Sequence, residues 1–464
     1  MWRLANLHHD GRLLRHLSHV VSGFLQLALG LAQRSARHPA LRAAVNYAGI
    51  TAFVKAAAFA KEAVVAAKFG VSGAMDAYLM ALVVIGFPSG LLLNAAQTVL
   101  VREYVRIRDS AGAIAADGFF YSAASGIFGV LLLVLLLWIG FLPVTLTFIG
   151  HGLALEQRAT VTTAVYWLAP YFLLNGLNLV GYGALQAKKA FAASAAIPLL
   201  TPVATIVFVA VLSPSLGVLV GAITAGSALE TLVIAFLSLK SPVGPAWRAA
   251  ERAAGFRDLM RGTAHLLPGT VLSGLTPVIE QAIASTLGRG AISSLGYASK
   301  LPATINTLLV TAVGVTILPY FSELVASGRL AECRAFFIRY AVILLVIGAA
   351  VLLVTSWASE PFVRIAFQRG AFSPHDTIIV AALQQAYLWQ VPGALVSMLA
   401  VRFVAAYGRF KALAGNQMII VPLIGLLQWR LAASWGPAGV AFGTAMSATL
   451  SAVAATWLAL RISR

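Results

Sequence analysis

The sequence predicts an all-α polytopic membrane protein, with about twelve transmembrane helices in two six-helix bundles related by a pseudo-two-fold axis along the membrane normal. Three observations lead there. Of the 464 residues, 60% are hydrophobic and only 10% are charged, whereas a soluble domain is about a quarter charged. Lipid is therefore the solvent for most of the surface. The apolar runs are long and do not alternate, as in Ser125 to Phe141, which excludes the roughly ten-residue alternating strands of a membrane barrel. Helices remain, because hydrocarbon offers no partner to an unpaired backbone group. Finally, the Lys and Arg residues sit in short loops between the apolar runs and divide unevenly between the two sides.

Taken in order, the spans are predicted near 46–69, 74–100, 118–141, 161–186, 191–212 and 215–239 in the first half, and near 264–287, 294–321, 336–356, 377–401, 414–433 and 437–460 in the second. A span needs about 20 apolar residues. Turn signals separate them, such as Ser213-Pro214-Ser215 and Trp435-Gly436-Pro437. Pro88, Pro170, Pro277 and Pro302 fall inside spans, where such breaks often mark a lined cavity. Trp138, Trp167, Trp357 and Trp389 read mostly as interfacial belts. Of the 33 basic residues, 24 lie in alternate loops and both tails, and 6 lie in the opposite loops. That bias places both termini in the cytoplasm. It also explains the formal charge of +18 without a nucleic-acid partner.

Residues 1–44 read as a basic cytoplasmic tail, with a short apolar run at 20–32 that suits an interfacial helix. Five of the eight histidines lie there (His8, His9, His16, His19 and His38), and they read as part of a polar tail. Residues 45–240 form the first bundle, 241–262 a cytoplasmic linker and 263–464 the second bundle. A faint echo joins the halves: Phe69-Gly70-Val71-Ser72-Gly73-Ala74 precedes Tyr78, and Leu287-Gly288-Arg289-Gly290-Ala291 precedes Tyr297. The single cysteine, Cys333, excludes a disulfide framework within the chain and a Cys-built metal site. No metal site and no cofactor are expected.

The charges inside the spans carry the functional signal. A charge in hydrocarbon costs at least about 2.5 kcal/mol, so it calls for a partner, water or a function. Lys55, Lys61 and Glu62 lie in the first span, Asp76 opens the second, and Glu230, Glu280 and Lys300 lie in spans six, seven and eight. Lys55 and Glu62, seven apart, share a helix face, and Lys61 points about 120° from Lys55. Three buried lysines with few acids suggest an anionic ligand, phosphate above all. Lys55, Lys61 and Lys300 are the candidate substrate-binding residues. Glu62, Asp76 and Glu280 are candidates for ion coupling or gating. Asp76 also suits the positive end of its own helix dipole. No catalytic constellation, HExxH or phosphate-binding GxxxxGK[ST] loop competes.

The residues also resemble a family. Ala60-Lys61-Glu62-Ala63 through Phe69-Gly70, with Asp76-Ala77-Tyr78, is similar to the start of the MurJ/MviN lipid-linked saccharide flippases. The stretch from Ala282 to Lys300-Leu301, with Ile317-Leu318-Pro319, resembles that family's seventh and eighth helices, and Arg369-Gly370-Ala371-Phe372 continues the match. The resemblance implies a transporter of the multidrug/oligosaccharidyl-lipid/polysaccharide exporter superfamily. Its cargo would be an undecaprenyl-pyrophosphate-linked saccharide, lipid II or an exopolysaccharide repeat unit, moved between leaflets by alternating access. Lys55, Lys61 and Lys300 match positions of cavity arginines in the best-known members, and Asp76 matches a family Asp. A further family arginine falls near Ser89, a Glu-Gly falls near Asn94, and the best-known members carry two more helices beyond the point matching residue 464.

The expected setting is a bacterial inner membrane. The expected partners are the lipid-linked saccharide, membrane lipids and the assembly enzymes of cell wall or polysaccharide. Energy would come from Na+ or H+ coupling or from the membrane potential. On the residues alone, a drug or cation antiporter of the same superfamily and a polyprenyl-linked sugar transferase stay open.

Overall fold

The computed structural model of the protein describes residues 39–239 and 251–462. The five tail histidines and the first part of the expected linker lie outside the described residues. Among the described residues, every regular element is a helix. The first half contains α1 (Pro39–Phe69), α2 (Gly73–Ala111), α3 (Ala113–Gly140), α4 (Leu142–Ile149), α5 (Leu155–Trp167), α6 (Ala169–Ala187), α7 (Phe191–Ala196), α8 (Leu200–Val211) and α9 (Leu216–Leu239). The second contains α10 (Glu251–Ala284), α11 (Ala291–Ala298), α12 (Lys300–Ala326), α13 (Leu330–Trp357), α14 (Ser359–Phe367), α15 (Pro374–Leu388), α16 (Gln390–Ala406), α17 (Phe410–Trp435) and α18 (Pro437–Ile462).

Eight stretches among the described residues are long and apolar enough to cross a membrane: 73–111, 113–140, 191–211, 216–238, 330–357, 374–406, 412–435 and 437–462. The other four expected spans fall on α1, the α5–α6 pair, α10 and the α11–α12 pair. The outer surface is apolar. Leu133, Leu136 and Leu137 on α3 and Val342, Leu353 and Val354 on α13 are exposed, while Asp76, Asn178, Gln384 and Gln428 are buried. Apolar residues outside and polar groups inside is the arrangement that lipid favours.

Proline accounts for most of the helix breaks. It lacks the N–H that would bond the carbonyl four residues earlier, and its ring crowds that carbonyl. Accordingly α5 stops at Trp167 before Pro170, α11 at Ala298 before Pro302, α13 at Trp357 before Pro361, and α15 at Leu388 before Pro392. Pro88, Pro277 and Pro422 are different, because α2, α10 and α17 run straight through them. The carbonyl that Pro88 leaves unpaired belongs to Val84, and Trp138 Nε1–H donates to that oxygen at 3.0 Å. Trp138 therefore serves the bundle interior rather than a belt. Trp167, Trp357 and Trp389 are exposed.

Two helices outrun their expected limits. The second span is expected at 74–100, yet α2 continues to Ala111 and stops at Gly112, whose φ of +89° no other residue adopts cheaply. The linker expected at 241–262 is helical from Glu251, because its Ala, Arg and Glu residues are strong helix formers and extend α10 backwards.

Helices pack mainly within their own half. In the first half α2 packs on α3, α5 and α6, α1 packs on α7 and α8, and α9 packs on α6 and α8. In the second, α16, α17 and α18 form one group, α12 and α13 pack on α16, and α10 packs on α17. The broadest contact between halves is α2 against α10.

Candidate functional site

One end of the interface between the halves is sealed by backbone. Helix α11 begins at Gly290, a left-handed residue with no side chain to cap it. Asp76 caps it from the other half. Its Oδ2 accepts the Gly290 N–H at 2.5 Å and its Oδ1 accepts the Ser293 N–H at 2.7 Å. Free N–H groups and the positive dipole end of a helix both favour a carboxylate there. Asp76 does lie in the first turn of α2, as the sequence indicates, but Ser72 already caps that helix by accepting from Met75 N–H. The helix Asp76 caps is 214 residues away.

The seal continues through glycines. The Ala371 N–H donates to the Ala67 carbonyl at 2.8 Å. A Cβ on Gly70 would stand 2.3 Å from the Ala371 oxygen, and one on Gly370 would stand 2.2 Å from the Ala67 oxygen. Both glycines have positive φ, +54° and +56°. Tyr297 Oη–H donates to the Gly70 carbonyl at 3.3 Å. Phe59 packs against Phe362 and Phe367. The two echoed segments of the sequence thus face each other across this seal.

Behind the seal, the two halves share an ion cluster. Glu62 Oε1 lies 2.8 Å from Lys61 Nζ and 3.2 Å from Lys300 Nζ. Lys61 and Glu62 come from α1, and Lys300 from α12. All three are partly buried, with side-chain exposures of 20%, 13% and 33%. The sequence put Glu62 on the face of Lys55. The structure instead pairs it with Lys61 and Lys300, because a four-carbon stem lets Lys61 reach around its helix. Lys300 also differs from expectation. It lies not within a continuous span but at the first position of α12, beside the break that Pro302 imposes. Irregular backbone inside a helical membrane bundle is tolerated where it lines a cavity. Lys55 is exposed, about 9 Å further along α1 from the seal than Lys61, and the structure does not bring it into the cluster.

Glu280 takes a separate place in the second half. Tyr387 Oη–H donates to its Oε1, and Thr444 Oγ1 donates to its Oε2 at 3.2 Å. These groups line a cavity of about 260 Å³ with Gln281, Ser299 and Gln390. The buried Gln281 Oε1 has no protein hydrogen-bond partner. A carboxylate among neutral oxygens, with an acceptor to spare, can hold a proton or a small cation.

Sequence reasoning noted Glu230 but gave it no role. It ties three helices together, accepting from Tyr182 Oη–H at 2.5 Å, Asn178 Nδ2–H at 3.3 Å and Thr201 N–H at 3.2 Å. Ser89, where the resemblance aligns an arginine, is buried and donates to the Gly86 carbonyl at 2.9 Å.

A sequence profile described as "Lipid II flippase MurJ" matches residues 65–463. The chain is 26% identical over 414 residues to the lipid II flippase MurJ of Burkholderia cenocepacia, covering 83% of this chain and 79% of that protein. It is 24% identical over 436 residues to the probable lipid II flippase MurJ of Synechocystis, covering 87% and 79%. Among solved structures, a lipid II flippase MurJ in an inward closed conformation superposes with a TM-score of 0.73 at 20% identity, over 89% of this chain and 87% of that one. An inward-facing multidrug transporter of the MATE family gives 0.70 at 13% identity, over 90% and 98%, which speaks to the fold alone. With 399 consecutive residues inside one family profile, this membrane chain is a transporter rather than an enzyme, and it belongs to the lipid II flippase MurJ family.

Proposed function

We propose that this chain flips an undecaprenyl-pyrophosphate-linked saccharide, lipid II or an exopolysaccharide repeat unit, from the inner to the outer leaflet of a bacterial inner membrane by alternating access. In this reading twelve helices cross the membrane, both termini are cytoplasmic, and residues 45–240 and 263–464 form two bundles related about the membrane normal. The observation that carries it is the meeting of Lys61 and Lys300, one from each half, on Glu62 behind a sealed interface. A pyrophosphate competes with Glu62 for both ammonium groups, so a bound substrate touches both halves at once. Lys55 extends the positive surface away from the seal. The lipid tail stays in the bilayer between helices. The saccharide leaves when the Asp76 seal opens and the opposite side closes.

Two energy sources fit. The membrane potential contributes about 2.3 kcal/mol per charge per 100 mV and drives anions outward. Glu280, with Tyr387, Thr444 and Gln281, supplies a place for H+ or Na+.

The test is complementation of a strain depleted of its own lipid II flippase. Lys61→Ala and Lys300→Ala are each expected to abolish growth while the protein stays in the membrane. A charge-assisted contact is worth about 1.5–3 kcal/mol, or about 10- to 100-fold in affinity. Normal growth with both variants would remove the binding role. Depletion of this chain in its own host, followed by lipid analysis, separates lipid II accumulation from accumulation of an exopolysaccharide intermediate.

A further inference from the structure

Along the interface between the halves, α2 and α10 frame two cavities that the transport reading leaves unused. The first lies near the basic ends of these helices. It has a volume of about 750 Å³ and is lined by Arg102, Glu103, Arg106, Asp258 and Arg261, among others. The second, of about 510 Å³, is an apolar cleft lined by Val83, Gly86, Phe87, Gly90, Gly274 and Pro277, among others.

Three arginines face two acids in the first cavity. Glu103 is buried and holds two of them: Arg102 Nη2 at 2.9 Å and Arg106 Nε at 2.6 Å. Arg106 Nη2 also stands 3.7 Å from Asp258 across the halves. The side chains of Arg102 and Arg106 nonetheless stay 70% and 60% exposed. Each guanidinium has five N–H donors, so Glu103 fixes their orientation and leaves donors directed outward. An oriented arginine pair suits the oxygens of a phosphate.

The cleft lies on the same line. Phe87 and Thr98 on α2 are eleven residues apart, as are Leu91 and Arg102, and eleven residues make about three helical turns. Both cavities therefore use one face of α2. Leu91 and Gly86, which both line the cleft, lie about 16 Å and about 24 Å along the axis from Arg102. That range brackets the depth of one leaflet with its headgroup region, about 20–22 Å. The glycines remove side chains and leave room between the helices. A basic cavity at headgroup depth, followed by an apolar cleft one leaflet deeper, has the profile of a single lipid.

We propose that α2 and α10 form a binding site for an anionic phospholipid, with its headgroup among Arg102, Arg106 and Arg261 and its hydrocarbon chain in the cleft beside Gly86 and Gly90. The site rests on the proposed orientation only in naming the cytoplasmic leaflet as the source of the lipid. Because α2 and α10 belong to different halves, an occupied site couples the surrounding leaflet to their relative position.

The test uses purified, delipidated full-length protein and native mass spectrometry with phosphatidylglycerol or phosphatidylcholine as the probe. The wild type is expected to retain phosphatidylglycerol and not phosphatidylcholine. Arg102→Gln/Arg106→Gln keeps hydrogen-bond donors for Glu103 and removes both charges. At about fivefold for each basic residue near a membrane surface, retention should fall about 25-fold. A Cβ on Gly86 would meet nothing within 4 Å, so Gly86→Leu starts its side chain in open space at the cleft and should lower retention on its own. Equal retention of phosphatidylcholine, or unchanged retention in the double glutamine variant, would overturn the site. Displacement of the lipid by inorganic phosphate together with unchanged retention in Gly86→Leu would assign the cavity to free phosphate and overturn the lipid. The measurement does not read transport, so its outcome is separate from that of the flippase assay.

Discussion

Asp76→Ala is expected to unseal the interface between the halves and to abolish transport. In the sealed state the variant would leave the Gly290 and Ser293 N–H groups buried without an acceptor, at about 1–3 kcal/mol each. In the open state water reaches both, so the cost falls on one conformation alone. A shift of about 2–6 kcal/mol changes the ratio of sealed to open protein by about thirtyfold to more than a thousandfold. Asp76→Glu should not recover function, because the extra methylene has no room at a site only 2% exposed. The shift can be read as a distance distribution between spin labels near the start of α2 and the start of α11. A distribution unchanged from wild type would show that Asp76 does not hold the seal.

The second large effect concerns Gly70 and Gly370. Either substitution by alanine places a Cβ within about 2.3 Å of a backbone oxygen in the opposite half, and backbone cannot move aside as a side chain can. The positive φ adds about 1 kcal/mol for any residue with a Cβ. Gly70→Ala and Gly370→Ala should therefore both disfavour the sealed state and stop transport, while the protein still inserts and folds. The control is Gly112→Ala, which shares a positive φ but meets nothing within 4 Å. It should cost stability without changing transport. Similar transport in all three variants would separate the glycine contact from the transport cycle.

The outline of this molecule was legible in the sequence because bilayer physics leaves few options. Apolar runs of span length between basic loops had to become helices, and α3, α9, α13 and α18 lie close to where they were expected. Proline breaks were also legible in kind, though the sequence did not show that α2 continues through Pro88. There Trp138, fifty-four residues away in the chain, bonds the Val84 carbonyl that Pro88 leaves unpaired.

The site was half legible. The cost of an intramembrane charge singled out Lys61, Lys300, Glu62, Asp76 and Glu280, but it could not pair them. Glu62 meets Lys300 across 238 residues and Asp76 meets Gly290 across 214. No local periodicity encodes such contacts. The glycine-rich echo was a usable signal for the seal, since both copies lie in it. Glu230 was the residue whose role was missed, because a carboxylate held by neutral donors looks, in sequence, like one held for function.

The central claim is that Lys61 and Lys300 together bind the pyrophosphate of a lipid-linked saccharide. It is tested most directly by measuring binding of an undecaprenyl-pyrophosphate-linked saccharide to the purified full-length protein in nanodiscs. The variants are Lys61→Ala/Lys300→Ala and Lys61→Arg/Lys300→Arg. The account predicts that the alanine pair loses at least about a hundredfold in affinity and that the arginine pair, which keeps both charges, binds within a few-fold of wild type. Wild-type affinity in the alanine pair would contradict it.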